Sequence, residues 1–157
     1  MDNTSPRETL QHLFTSQKLA VLATYNDNQP YCNLMAFAAT EDLKTIILAT
    51  RRQTHKYANI QKHQRVSLLV DNRKNQAEDF QQAMAVTVLA TVVEAQPQEY
   101  EQFLNLYLFK HPYMASFCRS PECVLLQLQV ERYLVVSHFR NFLSLEDTYL
   151  QIQEWRP

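Results

Sequence analysis

This chain of 157 residues contains no glycine, where about 7% would be ordinary. Glycine is the residue that supplies positive φ at no steric cost, so turns that need it must be built from Asn and Asp instead. Two stretches offer that chemistry, Tyr25-Asn26-Asp27-Asn28-Gln29-Pro30 and Val70-Asp71-Asn72-Arg73-Lys74-Asn75, and both are predicted turns. The same absence removes the Walker phosphate loop, the GxGxxG dinucleotide fingerprint and the glycine-flanked nucleophile elbow. A phosphate that binds here must be held by another route.

With 46% hydrophobic and 20% charged residues, residues 1–157 read as one soluble globular domain large enough for a sizeable core. The longest stretch without a charge, Phe80 to Val93, is fourteen residues, short of the roughly 20 that a membrane helix needs. The opening MDNTSPRETL is polar where a signal peptide is apolar. Three cysteines, Cys32, Cys118 and Cys123, make an odd number in a domain that needs no staples, which fits a reducing cytoplasm. A net charge of −1 argues against a dedicated nucleic-acid binder, because such domains carry a clear basic excess. A cytoplasmic protein with neither membrane nor nucleic acid as partner is the expectation.

Ser5-Pro6-Arg7-Glu8 has the form of a capping box with proline in the first turn, so a short amphipathic helix opens the chain. Leu19 to Tyr25, Tyr31 to Ala39 and Thr45 to Ala49 read as a three-strand meander. Gln53 to His63 reads as a helix with Thr54 at its N-cap, and Arg65 to Asp71 as a fourth strand. Met84 to Ala95 alternates with apolar residues on both faces, so both faces should be covered. From Pro97, the residues Tyr100, Phe103, Leu104, Tyr107 and Leu108 form a helical stripe. Lys110 to Pro121 is a helical or looped connector. Glu122 to Phe139 fits one long or two broken strands, and Leu143 to Trp155 a last one. The whole predicts an α+β fold with an antiparallel barrel core and peripheral helices.

The charge distribution singles out one segment. Between Asp42 and Asp71 there is no carboxylate, yet Lys44, Arg51, Arg52, Lys56, Lys62 and Arg65 fall there. Thr50-Arg51-Arg52-Gln53-Thr54-His55-Lys56 lies where a strand gives way to a helix, so unpaired helical N–H groups would face the same space as Arg51, Thr54, His55 and Lys56. This donor set suits a phosphate monoester. The same residues also suit a solvated basic helix face, and composition does not choose between the two.

Taken in order, QPYCNLMAFAA, ILATRRQTHKYANIQKHQRVSLLVDN and AMAVTVLATVVEA resemble the pyridoxamine 5′-phosphate oxidase-like FMN-binding split-barrel family. The match runs through the strand-ending Thr50, the triplet Thr54-His55-Lys56 and the strand entry His63-Gln64-Arg65-Val66. The resemblance implies an antiparallel six-stranded split β-barrel, a homodimer, and FMN at the dimer interface. It also implies that Lys56 and Thr54 meet the FMN phosphate, that Arg51 or His55 adds a second cation, and that Asn33, Leu34, Met35 and Ala36 run along the isoalloxazine edge. Met84 and Ala85 would begin the strand that approaches from the facing subunit. The implied activity is two-electron transfer between FMN and a small organic substrate or a reduced nicotinamide. His55 stands where many relatives have Arg, and the chain ends in Glu154-Trp155-Arg156-Pro157 without the arginine- and histidine-bearing motif that grips substrate in the vitamin-B6 oxidases. These departures argue against authentic pyridoxamine phosphate oxidase activity. Two other readings stay open: a haem- or deazaflavin-binding barrel, with His55 or His138 as haem ligand, and a non-catalytic barrel that binds flavin or nucleic acid.

The remaining candidates have plainer explanations. Cys118, Cys123 and His111 lack the second ligand pair that zinc requires, so no metal is expected. His138 to Asn141 reads as a surface turn, Tyr107 to Phe117 as core, and Tyr57 as a packing residue with no base beside it.

Overall fold

The computed structural model describes residues 5–137 and, beyond them, the backbone of Asn141–Phe142, Leu145–Asp147 and Leu150–Ile152. Helix α1 (Pro6–Ser16) starts at the expected capping box: Ser5 Oγ accepts from Glu8 N, and Glu8 Oε2 accepts from Ser5 N at 2.7 Å. The strands β1 (Leu19–Asn26), β2 (Gln29–Ala39) and β3 (Thr45–Arg51) form the meander, and α2 (His55–Lys62) follows. Next come β4 (Arg65–Asp71), α3 (Asp79–Gln82), β5 (Met84–Glu94) and α4 (Pro97–Lys110). A 3₁₀ turn at Pro112–Met114 and α5 (Ala115–Cys118) lead into the long β6 (Cys123–Ser137). The short α3 lies in a stretch, residues 76–83, to which the sequence reading assigns no element. The span from Glu122 is one strand, not two. In place of a single last strand there are β7 (Asn141–Phe142), β8 (Leu145–Asp147) and β9 (Leu150–Ile152).

Antiparallel pairing runs β3-β2-β1-β4-β5-β6, and β6 pairs back with β3, which closes a six-stranded barrel. Turns without glycine fall where Asn and Asp allow them: Asp27 and Asn28 have φ of 51° and 60° in the two-residue β1–β2 hairpin, and Asn75 has 59°. Leu43 also has φ of 60°, an unfavourable conformation for a residue with a Cβ. Burial and a hydrogen bond hold it there: the side chain is 2% exposed and Tyr133 Oη donates to its carbonyl at 2.5 Å.

Alternate residues of each strand fill the interior, among them Leu22, Phe37, Leu48, Leu68, Val88 and Leu126. α1 precedes β1 and α2 follows β3, two strands of the same direction, so the helices plug opposite mouths of the barrel. Leu13, Phe14 and Ile60 join the interior cluster from them. A second cluster lies outside the wall, where Phe103 and Tyr107 of α4 and Cys118 of α5 pack on Ile47, Ala49 and Leu125. That cover explains why Ile46 to Ala49 of β3 and Cys123 to Leu126 of β6 read as unbroken apolar runs. Among the described residues no helix is long and apolar enough to cross a membrane.

Candidate functional site

The barrel wall opens between β2 and β3. β3 pairs with β2 only at Phe37, Ala38 and Ala39, and its end, Ala49 to Arg51, pairs with β6. Among the described residues, Gln29 to Ala36 of β2 therefore bond to β1 on one side and to no strand on the other. Thr40 N bonds to Thr45 O across the β2–β3 turn, which fixes the direction of alternation along β2. By that alternation the N–H and C=O groups of Cys32, Leu34 and Ala36 point into the opening, while those of Tyr31, Asn33 and Met35 are spent on β1. Pro30, on the same open edge, has no N–H to present.

Thr54 caps α2 on the far side of this opening. Its Oγ1 accepts from Tyr57 N and donates to Arg51 O at 2.9 Å. The first intrahelical bond runs from Ala58 N to Thr54 O, so the amides of His55 and Lys56 stand outside the ladder at the positive end of the helix. The His55 ring stacks on Tyr31 of β2, 4.4 Å between centroids and 20° between planes. That contact ties the helix start to the open strand. Arg51 extends from the β3 end over the Phe117 ring at 5.4 Å. Lys56 is half-buried.

Several expected residues sit differently from their sequence reading. Thr50 is 2% exposed, and its hydroxyl faces Thr54 Oγ1 at 3.4 Å, so it supports the cap and does not reach the opening. The single hydroxyl proton of Thr54 is committed to Arg51 O, and a ligand contact through it would have to replace that bond. Met35 is core. Asn33 points inward on the same face, and its Oδ1 is buried with no partner among the described residues. Met84 packs against the interior cluster, whereas Ala85, half-buried, faces outward. Both lie three strands from β2, about 14 Å along the sheet at the usual strand spacing, and so do not meet the opening of their own chain. His138 and Glu154 to Pro157 lie outside the described residues.

Tyr57 has a partner after all. It donates to Glu94 at the end of β5, and Arg52 Nη1 reaches both Tyr57 Oη and Glu94 Oε1 at 2.9 Å. Burial and the neighbouring carboxylate raise the Tyr57 pKa, and the Glu94 hydrogen bond raises that of Arg52. Arg52 is thus engaged away from the opening, leaving His55 and Lys56 at the helix start, with Arg51 over Phe117 at the β3 end. Glu94 lies 37 residues from Tyr57, and no local signal announces the pair. Tyr31 was legible in principle, two residues before Asn33 and so on the same face. His111 is fully buried, away from any cysteine ligand role: Nε2 donates to Phe37 O at 2.8 Å and Nδ1 bonds with Tyr113 Oη at 3.1 Å. Burial lowers its pKa, in keeping with a neutral ring. Among the described residues no three His, Cys, Asp or Glu side chains gather as a metal site.

A closed six-stranded antiparallel barrel that opens between β2 and β3, with a helix N-terminus facing the open strand, defines a split-barrel protein. The chain belongs to the pyridoxamine 5′-phosphate oxidase family, whose model matches residues 6–137. Among solved structures it is similar to a haem-binding protein from Mycobacterium smegmatis, at 13% identity and a TM-score of 0.79, covering 90% of this chain and 58% of that one. It is also similar to a FAD-binding protein from Mesorhizobium loti, at 15% identity and 0.64, covering 80% and 89%. General stress protein 26 from Bacillus anthracis matches at 17% and 0.64, covering 88% and 98%. At such identities these likenesses bear on the fold alone. No curated protein sequence matches the chain.

Proposed function

We propose that this protein binds FMN in the opening between β2 and β3 and works, as a homodimer, in two-electron transfer to or from a small organic molecule. The observation that carries the reading is the unpaired edge of β2 opposite the start of α2. Backbone groups of Leu34 and Ala36 offer the alternating donors and acceptors that a flavin pyrimidine ring requires. Across from them, the amides of His55 and Lys56 with their side chains form an anion site made without glycine, and Arg51 adds charge from the β3 end. Asn33 Oδ1, buried and unpaired, is an acceptor available to a bound group or water. When bound, flavin accepts or donates a hydride at N5, and the role left to the chain is to bind, orient and shield it.

The dimer reading rests on the outer sheet face. In register across five strands lie Leu34, Val21, Leu69, Thr87 and Leu134, and Leu19 and Leu34 are 53% and 69% exposed. Among the described residues no helix covers this face, in contrast to that of β3. A second copy would cover it and bring its own Ala85 surface toward the opening.

The test is Lys56→Ala, with FMN and riboflavin titrated in parallel. FMN binding should weaken by about 1.5–3 kcal/mol, the range for a hydrogen bond to a charged group, with riboflavin nearly unaffected. Equal losses for both ligands would place Lys56 away from the phosphate. A second reading, haem, is favoured by the similarity to the mycobacterial haem-binding protein and by His55, an exposed imidazole at the opening. The visible spectrum of the purified protein separates them: two flavin bands in one case, a Soret band in the other.

A further inference from the structure

A groove between α1 and α4 lies apart from the β2–β3 opening. It encloses about 500 Å³, within the range of small-molecule sites. Its lining is mainly apolar, from Phe14 of α1, Ala39 and Leu43 of the β2–β3 turn region, and Leu106 and Phe109 of α4, with Lys110 among them.

Two features mark this groove as able to take a ligand. Phe109 is 91% exposed on a helix whose neighbouring residues pack well. Lys110 is a half-buried cation without a counter-ion: among the described residues no carboxylate forms an ion pair with it. Its Nζ donates to Phe14 O at 2.6 Å, a carbonyl in the last turn of α1, and stands 3.8 Å from the centroid of the Phe37 ring. Desolvation alone pulls its pKa down to about 8. Glu41 at the rim takes Arg7 and Gln11 on its backbone carbonyl. An ammonium has three protons, and the Phe14 carbonyl uses one of them.

We propose that the groove binds an apolar-chain carboxylate, with the carboxylate on Lys110 and the chain along Phe14, Leu43, Leu106 and Phe109. Such a ligand supplies the missing counter-charge and covers the exposed ring in one step. It is distinct from the flavin reading and stands or falls without it.

The experiment is calorimetric titration of the full chain with dodecanoate, below its micellar concentration, and with dodecanol as the uncharged molecule of equal length. Dodecanoate should bind once per chain and about tenfold or more tighter than dodecanol, the factor that a charge-assisted hydrogen bond provides. Lys110→Met should erase that preference and leave dodecanol binding unchanged. Thr15→Trp, at an exposed position lining the groove, should weaken both ligands by filling it. Absence of saturable dodecanoate binding, an unchanged preference in Lys110→Met, or unchanged binding in Thr15→Trp would each overturn the proposal. Should Lys110→Met not fold, as judged by circular dichroism, the acid–alcohol comparison and Thr15→Trp still decide.

Discussion

Leu19→Ser combined with Leu34→Ser tests the dimer through the two most exposed leucines of the uncovered face. Full burial of a leucine side chain contributes about 1.5–3 kcal/mol. Scaling by the 53% and 69% that remain exposed in one subunit leaves roughly 0.8–1.6 and 1–2 kcal/mol for a second copy to supply. A twofold interface contains each residue twice, so the double variant should lose about 4–7 kcal/mol of association free energy, a rise in Kd of about 10³–10⁵-fold. Because both side chains are largely solvated in the single subunit, the urea stability of the separated chain should change little. Sedimentation velocity between about 0.1 and 50 µM is the assay. The parent chain should run as a dimer and the variant as a monomer. A parent that sediments as a monomer throughout refutes the dimer itself. A variant that stays dimeric refutes the choice of surface.

Tyr133→Phe removes the buried donor to the carbonyl of Leu43, itself buried in an otherwise exposed turn, and should cost about 1–3 kcal/mol, or roughly 2–4 °C in melting temperature per kcal/mol in a domain of this size. A loss under about 0.5 kcal/mol would show that the Leu43 turn does not depend on it. Lys110 is depressed from 10.5 to about 8, so between those values the unfolded chain binds more protons than the folded one and stability contributed by this group rises with pH. Urea denaturation from pH 7.5 to 10.5 should show the native chain gaining on Lys110→Met across that window; parallel curves would refute the burial argument. Glu94→Gln should lower the Tyr57 pKa toward the ordinary tyrosine value by removing the carboxylate that raises it, read as tyrosinate absorbance against a Tyr57→Phe control. It should leave the stability almost unchanged, because Arg52 and Glu94 are partly solvated and screened.

What the sequence determined by itself is local. Asn and Asp in the Tyr25–Pro30 and Val70–Asn75 stretches had to take the positive φ that an absent glycine would have taken, and Asp27, Asn28 and Asn75 do so. Thr54 caps α2 and Ser5 caps α1 because a side-chain oxygen there reaches an amide two or three residues away. The candidate anion cluster was legible for the same reason: Arg51 to Lys56 are consecutive, and one strand-to-helix junction places them together. The tertiary structure decided everything that depends on chain brought from afar. Leu43 holds a conformation its own chemistry disfavours because Tyr133, 90 residues on, binds its carbonyl. Arg52 carries the same charge as Arg51, but Glu94 on another strand takes it out of the site. Leu34 reads as one more apolar strand residue, and only the departure of β3 toward β6 leaves its backbone edge unpaired. Hydrogen-bond alternation within a strand is set by the residue, whereas which edge stays open is set by where neighbouring strands go, and that is a property of the closed barrel.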